Sequence, residues 1–200
     1  KTARRSMNLL TIEWANRGIN MWTIDEGFIN LVQGTATYNL PAATIDLIEQ
    51  VIRTDAGSAT LQSDLNLSRI SVSTYSSVPN KLTQGRPIQV WVDRLRDNPT
   101  VTLWPVPDQG TALAPYYVLR YWRLRRIQDA GAGVETPDMN FRFFPALVAG
   151  LAYYIATKIP ELMPRIEMLK GQYDEQYALA AGEDREKASI SLVPRIYGMG

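Results

Sequence analysis

The densest set of side chains able to engage a charged partner is Arg120-Tyr-Trp-Arg-Leu-Arg-Arg126. Guanidinium groups bind phosphates and aromatic rings stack on bases, so this interleaving is one form that a nucleic-acid contact takes. The same segment reads equally as a strand, whose successive side chains point to opposite faces. Tyr121 and Trp122 would then pack in or beside a core while the arginines stay solvated. Arg120, Arg123, Arg125 and Arg126 are the candidates for DNA or rim contact. A second set, Asp174, Glu175, Glu183, Asp184 and Glu186, offers a carboxylate pair or oxygen ligands for a metal. Arg185 and Lys187 lie among these acids, however, which is the pattern of a solvated, salt-bridged helix end. Ala130-Gly-Ala-Gly133 has the look of a phosphate loop. It lacks both the Gly-x-x-x-x-Gly-Lys-Ser and the Gly-x-Gly-x-x-Gly pattern and reads as a linker.

What is missing narrows the chemistry further. The 200 residues contain no His and no Cys. Disulfide scaffolds, Cys or His zinc sites and His-dependent nucleophile systems are thereby excluded within the chain. Carboxylates, Lys, Tyr, Ser or an oxygen-ligated metal would have to carry any catalysis. A cell-wall glycan hydrolase is the enzyme to consider, but it needs two converging carboxylates with one in an apolar setting, and no such apolar-flanked pair stands in the sequence. The expectation is therefore no enzyme, no cofactor and no metal.

Charge is balanced overall at +1 and uneven along the chain. Residues 21–80 hold two Arg against six acids, and residues 81–126 hold eight basic residues against three acids. The first 20 residues do not resemble an export signal. The longest uncharged apolar run, from Phe143 to Thr157, falls short of the ~20 residues that span a bilayer, so a soluble protein is expected. The absent initiator Met suggests a chain that starts inside a longer one.

The elements that would position these groups follow from periodicity. Met7, Leu10 and Trp14 step by three and four after Ser6, and Gly18 stands where a helix would stop, which predicts a helix over 6–18. The period then changes: Phe28 to Val32, a Gly34 turn, and Thr37 to Leu40 before Pro41 read as strand, turn and strand. Residues 45–53 fit either a strand or a short helix. Ser68 to Ser76 favours a short helix, while residues 87–93, 101–104 and 116–124 read as strands. Together they predict an antiparallel lobe of five or six strands. Past the linker, residues 143–158 form a helix apolar on nearly every side, and Leu162, Ile166, Leu169, Tyr173, Tyr177 and Ala180 mark another over 161–181. Residues 189–200 read as an arm. A helix apolar all round must be covered all round; a neighbouring copy or burial between lobe and helices would both serve.

The order of motifs carries a resemblance. Glu13-Trp-Ala-Asn-Arg-Gly-Ile-Asn-Met-Trp22, the Gly34 to Pro41 turn and strand, Gly85-Arg-Pro87 ahead of Trp91 and Leu103-Trp-Pro-Val-Pro-Asp108 come first. Leu147-Val-Ala-Gly-Leu-Ala-Tyr-Tyr154, Leu169-Lys-Gly-Gln-Tyr-Asp-Glu175, Glu183-Asp-Arg-Glu186 and Val193-Pro194 follow. Over nearly the whole chain this resembles the head-to-tail adaptor proteins of short-tailed bacteriophages.

The resemblance implies an α+β fold: a helical body (1–26 and 138–187), an inserted antiparallel β-rich lobe with its linker (27–137) and an extended C-terminal arm (188–200). It implies a ring of about twelve identical subunits, closed by heterologous contacts, beneath the capsid portal and extending the DNA channel toward the tail. The portal protein and a tail nozzle or tail-tube protein are the implied partners, double-stranded DNA passes through, and the place is the virion head-tail junction after assembly in the host cytoplasm. Ile190, Leu192, Val193, Ile196 and Tyr197 become the candidate portal anchors. Leu147, Leu151, Tyr154 and Ile155 become the candidates for subunit or core packing. Another tail-tube or nozzle-proximal ring protein is the nearest rival reading.

Overall fold

The computed structural model describes residues 2–19, 23–95, 97–127 and 137–183. The fold is α+β and divides into two compact units. Among the described residues, 2–19 and 139–183 make a helical unit, and 23–95, 97–127 and 137–138 make a β unit.

The helical unit holds α1 (Thr2–Asn16), α3 (Phe144–Ala156) and α4 (Ile166–Glu183). α1 starts earlier than the predicted Ser6, because Ser6 is no cap. It is buried within the helix, and Lys158 Nζ donates to its hydroxyl at 2.5 Å. Gly18, at φ 85°, supplies the left-handed turn that ends this helix, and the Ile19 amide donates back to the Trp14 carbonyl at 3.1 Å. A 3-10 turn, Phe141–Phe143, leads into α3, with Pro145 tolerated in the first turn. The second long helix also departs from the 161–181 expectation. Pro160–Arg165 is 3-10 helix containing Pro164, and α4 begins only at Ile166, since an interior proline lacks the amide and crowds the preceding turn.

Among the described residues the β unit has eight strands in two sheets, more than the five or six expected. One sheet runs β1 (Ile24–Asn30), β8 (Tyr117–Arg125), β3 (Thr44–Thr54), β4 (Ser63–Asn66). The other runs β2 (Thr37–Asn39), β7 (Thr100–Trp104), β6 (Gln89–Asp93), β5 (Ser68–Arg69). All pairs are antiparallel except β5 with β6. The added strands β4 and β5 are short and polar, so they give no alternating apolar signal. Residues 45–53 resolve as strand, and the short helix α2 (Val72–Ser76) is present, capped by Ser71.

Connectivity is set by pairing over long separations. The strands flanking Gly34 do not pair with each other. β1 pairs with β8 and β2 with β7, so the chain crosses from one sheet to the other at this turn. Gly27 explains why β1 was read as starting late. A Cβ there would lie 2.5 Å from Cζ of Tyr121, so the inward position opposite that buried ring has to be empty. Buried residues of both sheets, among them Leu47, Ile52, Leu119 and Tyr121 from the first and Val90, Val101 and Leu103 from the second, form one core. A polar clasp joins the sheets as well. Two bulges in β3 frame Asp46, whose carboxylate accepts from the Leu47 amide at 2.8 Å and from Arg69 of β5 at 2.6 Å.

Candidate assembly surfaces

Among the described helices α3 is the most apolar, and it packs on α1 and α4. Ala146, Leu147, Gly150 and Ala156 are buried. Gly150 permits this approach: a Cβ there would meet Tyr173 at 2.8 Å and Leu10 at 2.9 Å. The same helices share a buried polar network. Trp14 Nε1 donates to the Tyr173 hydroxyl at 2.9 Å, and the Tyr154 hydroxyl donates to Glu13 at 2.6 Å. Burial, with the Glu13 carboxylate next, pushes the Tyr154 phenol up to about 12. Burial likewise raises Tyr173. Arg17 pairs with Glu13 and lies over the Tyr177 ring at 4.5 Å. Such satisfied networks fix how helices register, because any slip strands a polar group away from water.

Another face of α3 is left exposed among the described residues. Phe144 is 38% exposed, Val148 67% and Ile159 just beyond the helix 36%, with Ala152 exposed and Ile155 half-buried between them. Within the helix Phe144, Val148, Ala152 and Ile155 recur every three to four positions and so form one stripe, about 16 Å long at 1.5 Å per residue. It carries no charged side chain. Contiguous exposed apolar surface of this kind makes the stripe a candidate for contact with another protein.

The four sequence candidates on α3 therefore fall in different settings. Leu147, at 7% exposure, belongs to the core of the helical unit. Tyr154 is held by Glu13, and Leu151 and Ile155 are half-buried at the margin of the stripe. Sequence reasoning missed Phe144, Val148, Ala152 and Ile159 as the outward set. Their mutual spacing was the available signal, masked because the inward residues are equally apolar.

The basic strand is arranged differently from a phosphate-binding surface. Arg120 and Trp122 project from one face of β8, and Tyr121, Arg123 and Arg125 from the other. Arg120 pairs with Glu26, and Arg123 with Asp25 at 3.2 Å and with the Thr44 hydroxyl at 3.0 Å. Arg125 reaches Asp138 at 2.5 Å and Asp25 at 3.1 Å, and its hydrogen bond to Asp138 leads in holding the guanidinium charged. Arg126 is engaged as well, and its amide donates to Ala43. The acids of β1 thus neutralise the arginines of β8 across the sheet, with Asp138 adding to Arg125.

Asp174 and Glu175 are exposed on α4. Among the described residues no group of three or more acids could hold a metal, and no helix is long and apolar enough to cross a membrane. Asp184, Glu186, the Ala130 to Gly133 segment and the candidate anchors Ile190, Leu192, Val193, Ile196 and Tyr197 lie outside the described residues.

A family model described as SU10 adaptor protein matches residues 3–194, which include both units and the α3 stripe. The chain belongs to the SU10 adaptor protein family. It is a phage adaptor-type structural protein, and the family is not an enzyme class. No curated protein matches the chain.

Proposed function

We propose that this adaptor is a non-catalytic subunit of a ring at the head-tail junction of a short-tailed phage, seated between the capsid portal and the tail nozzle or tail tube. The observation that carries the reading is the charge-free stripe of α3. A closed ring of heterologous contacts would cover it on every subunit, which an isolated chain leaves undone. The ring would extend the DNA channel and help retain and then conduct the genome. Mutual neutralisation of Arg120, Arg123 and Arg125 suits that task, because a duplex slides past balanced charge and sticks to a cationic wall. On this reading Ile190, Leu192, Val193, Ile196 and Tyr197 would anchor the arm on the portal.

Mass measurement of the chain alone and mixed with portal rings tests the proposal. A ring-sized complex that forms with portal supports it, with about twelve subunits expected for a closed portal-matched ring. Copurification with a nozzle protein and not with portal would move the chain to another ring of the tail. Deleting residues 189–200 should leave a folded protein that no longer binds portal; undiminished binding removes the arm from the mechanism.

A further inference from the structure

α4 runs back along α3 and finishes near the end where the exposed stripe begins. Tyr173 lies against Gly150 and stacks on Tyr153 at 6.3 Å, midway along α3. Four residues later Tyr177 meets Trp14 at 6.3 Å, and the same indole meets Phe143 at 5.7 Å, just ahead of α3. α4 thus advances toward the N-terminal end of α3, and its last residue, Glu183, stands about 9 Å beyond Tyr177 at 1.5 Å per residue. Residues 184–189 reach about 20 Å when extended, enough to carry the chain around a helix about 10 Å across. The charges that follow α4 fall at Asp184 to Lys187 and at Arg195. Between and beyond them Ile190, Leu192, Pro194 and Ile196 occupy alternate positions, so an extended chain carries all four on one edge. That edge is about 20 Å long at 3.3 Å per residue. It matches the stripe of Phe144, Val148, Ala152 and Ile155 both in length and in having no charge.

We propose that in the free subunit residues 190–196 lie extended along the α3 stripe of their own chain, and that portal, by taking the same residues, uncovers the stripe for a neighbouring subunit. The inference rests on the ring reading above and adds its regulation: one apolar edge has two uses, so the joint opens only where portal is present. Tethering favours the segment over a second copy, because a short linker holds it at an effective concentration in roughly the millimolar range. Docking in about nine chains of ten weakens self-association about tenfold, since only the open fraction can be joined. So short a contact opens locally before the helices unfold, and it leaves the urea midpoint of the unit where it is.

The test compares NMR spectra of the full chain and of a chain lacking residues 189–200, each dilute and without portal. Removing the segment should shift the amides of Val148, Ala152 and Ile155 and leave those of Val90 and Val101 in the β core unmoved. A peptide of residues 188–200 added to the shortened chain should restore the shifts saturably, and the same peptide carrying Leu192→Asp and Ile196→Asp should not. In sedimentation the shortened chain should self-associate about tenfold more tightly than the full chain. If the shortened chain does not fold, Leu192→Asp with Ile196→Asp in the full chain takes its place, with the same shifts expected. Unmoved stripe amides, a peptide that fails to restore them, or equal self-association of the two chains would each overturn the proposal. Ring formation by the full chain with portal is read separately. A ring with unmoved stripe amides overturns this device and leaves the adaptor reading standing; a docked segment in a chain that forms no ring removes the ring reading while the docking stands.

Discussion

Leu147 and Val148 are adjacent in sequence and should fail in different ways when changed. Leu147 is 7% exposed against α1 and α4, so Leu147→Ala should cost about 2–5 kcal/mol of folding stability through lost burial and a residual cavity. Val148 points outward, and Val148→Arg replaces an exposed β-branched residue with a better helix former. Stability of the isolated chain should change by no more than about 0.5 kcal/mol. Assembly is another matter. Covering the stripe buries Val148, which is worth about 1.5–3 kcal/mol, and a guanidinium in its place must be desolvated as well, at several kcal/mol. A combined loss of about 4 kcal/mol is near a thousandfold per contact, and a closed ring repeats it at every joint. Urea denaturation of both variants, followed by sedimentation of each with portal rings, reads the two effects apart. The expected result is a shifted midpoint for Leu147→Ala and a normal midpoint with no ring for Val148→Arg. If Val148→Arg assembles as the parent does, the stripe is not the joint and the proposed function loses the observation it rests on.

Three further outcomes follow from close contacts. Gly27→Ala places a Cβ against the buried Tyr121 ring, and overpacking of this kind should lower β-unit stability by about 1–3 kcal/mol with little change in the denaturant slope. Trp14→Phe removes the indole donor to Tyr173 in the helical core and should cost about 1–3 kcal/mol by thermal or urea melting. For Tyr154, burial and Glu13 raise the folded phenol to about 12 from an ordinary 10.0. The folded state then holds more protons than the unfolded one, so this contribution is full below pH 10.0 and is lost as pH rises toward about 12. Tyr154→Phe should flatten that alkaline fall. An equally steep fall in the variant would assign it to other groups.

Much of the architecture was legible because its signals are local. Glycine at positive φ ends α1, Pro160 ends the helix before it, and alternation marks β6, β7 and β8. What the sequence did not show about the sheets has one cause, which is that partners chosen over long separations leave no local trace. β1 and β2 flank one turn yet join different sheets, because Ile24 pairs with Leu124 and Thr37 with Thr102. Polar β4 and β5 qualify as strands only through the neighbours that satisfy their amides.

The candidate surfaces divide in the same way. Residue types alone settled that no His or Cys chemistry operates and that α3 has too much apolar surface for a solvated helix. Which side of α3 is spent inside the unit depended on where α1 and α4 pack, and that was decided by Gly150 meeting Tyr173 and Leu10. The arginines of β8 were visible as a cationic run, but Asp25, which pairs with Arg123 and Arg125, lies about 100 residues away in the sequence. Only the folded sheet brings Asp25 and Glu26 within reach and turns a nucleic-acid-like pattern into internal ion pairs. Composition determines what chemistry a chain can hold; the packing of distant segments determines which of its groups are left over to meet a partner.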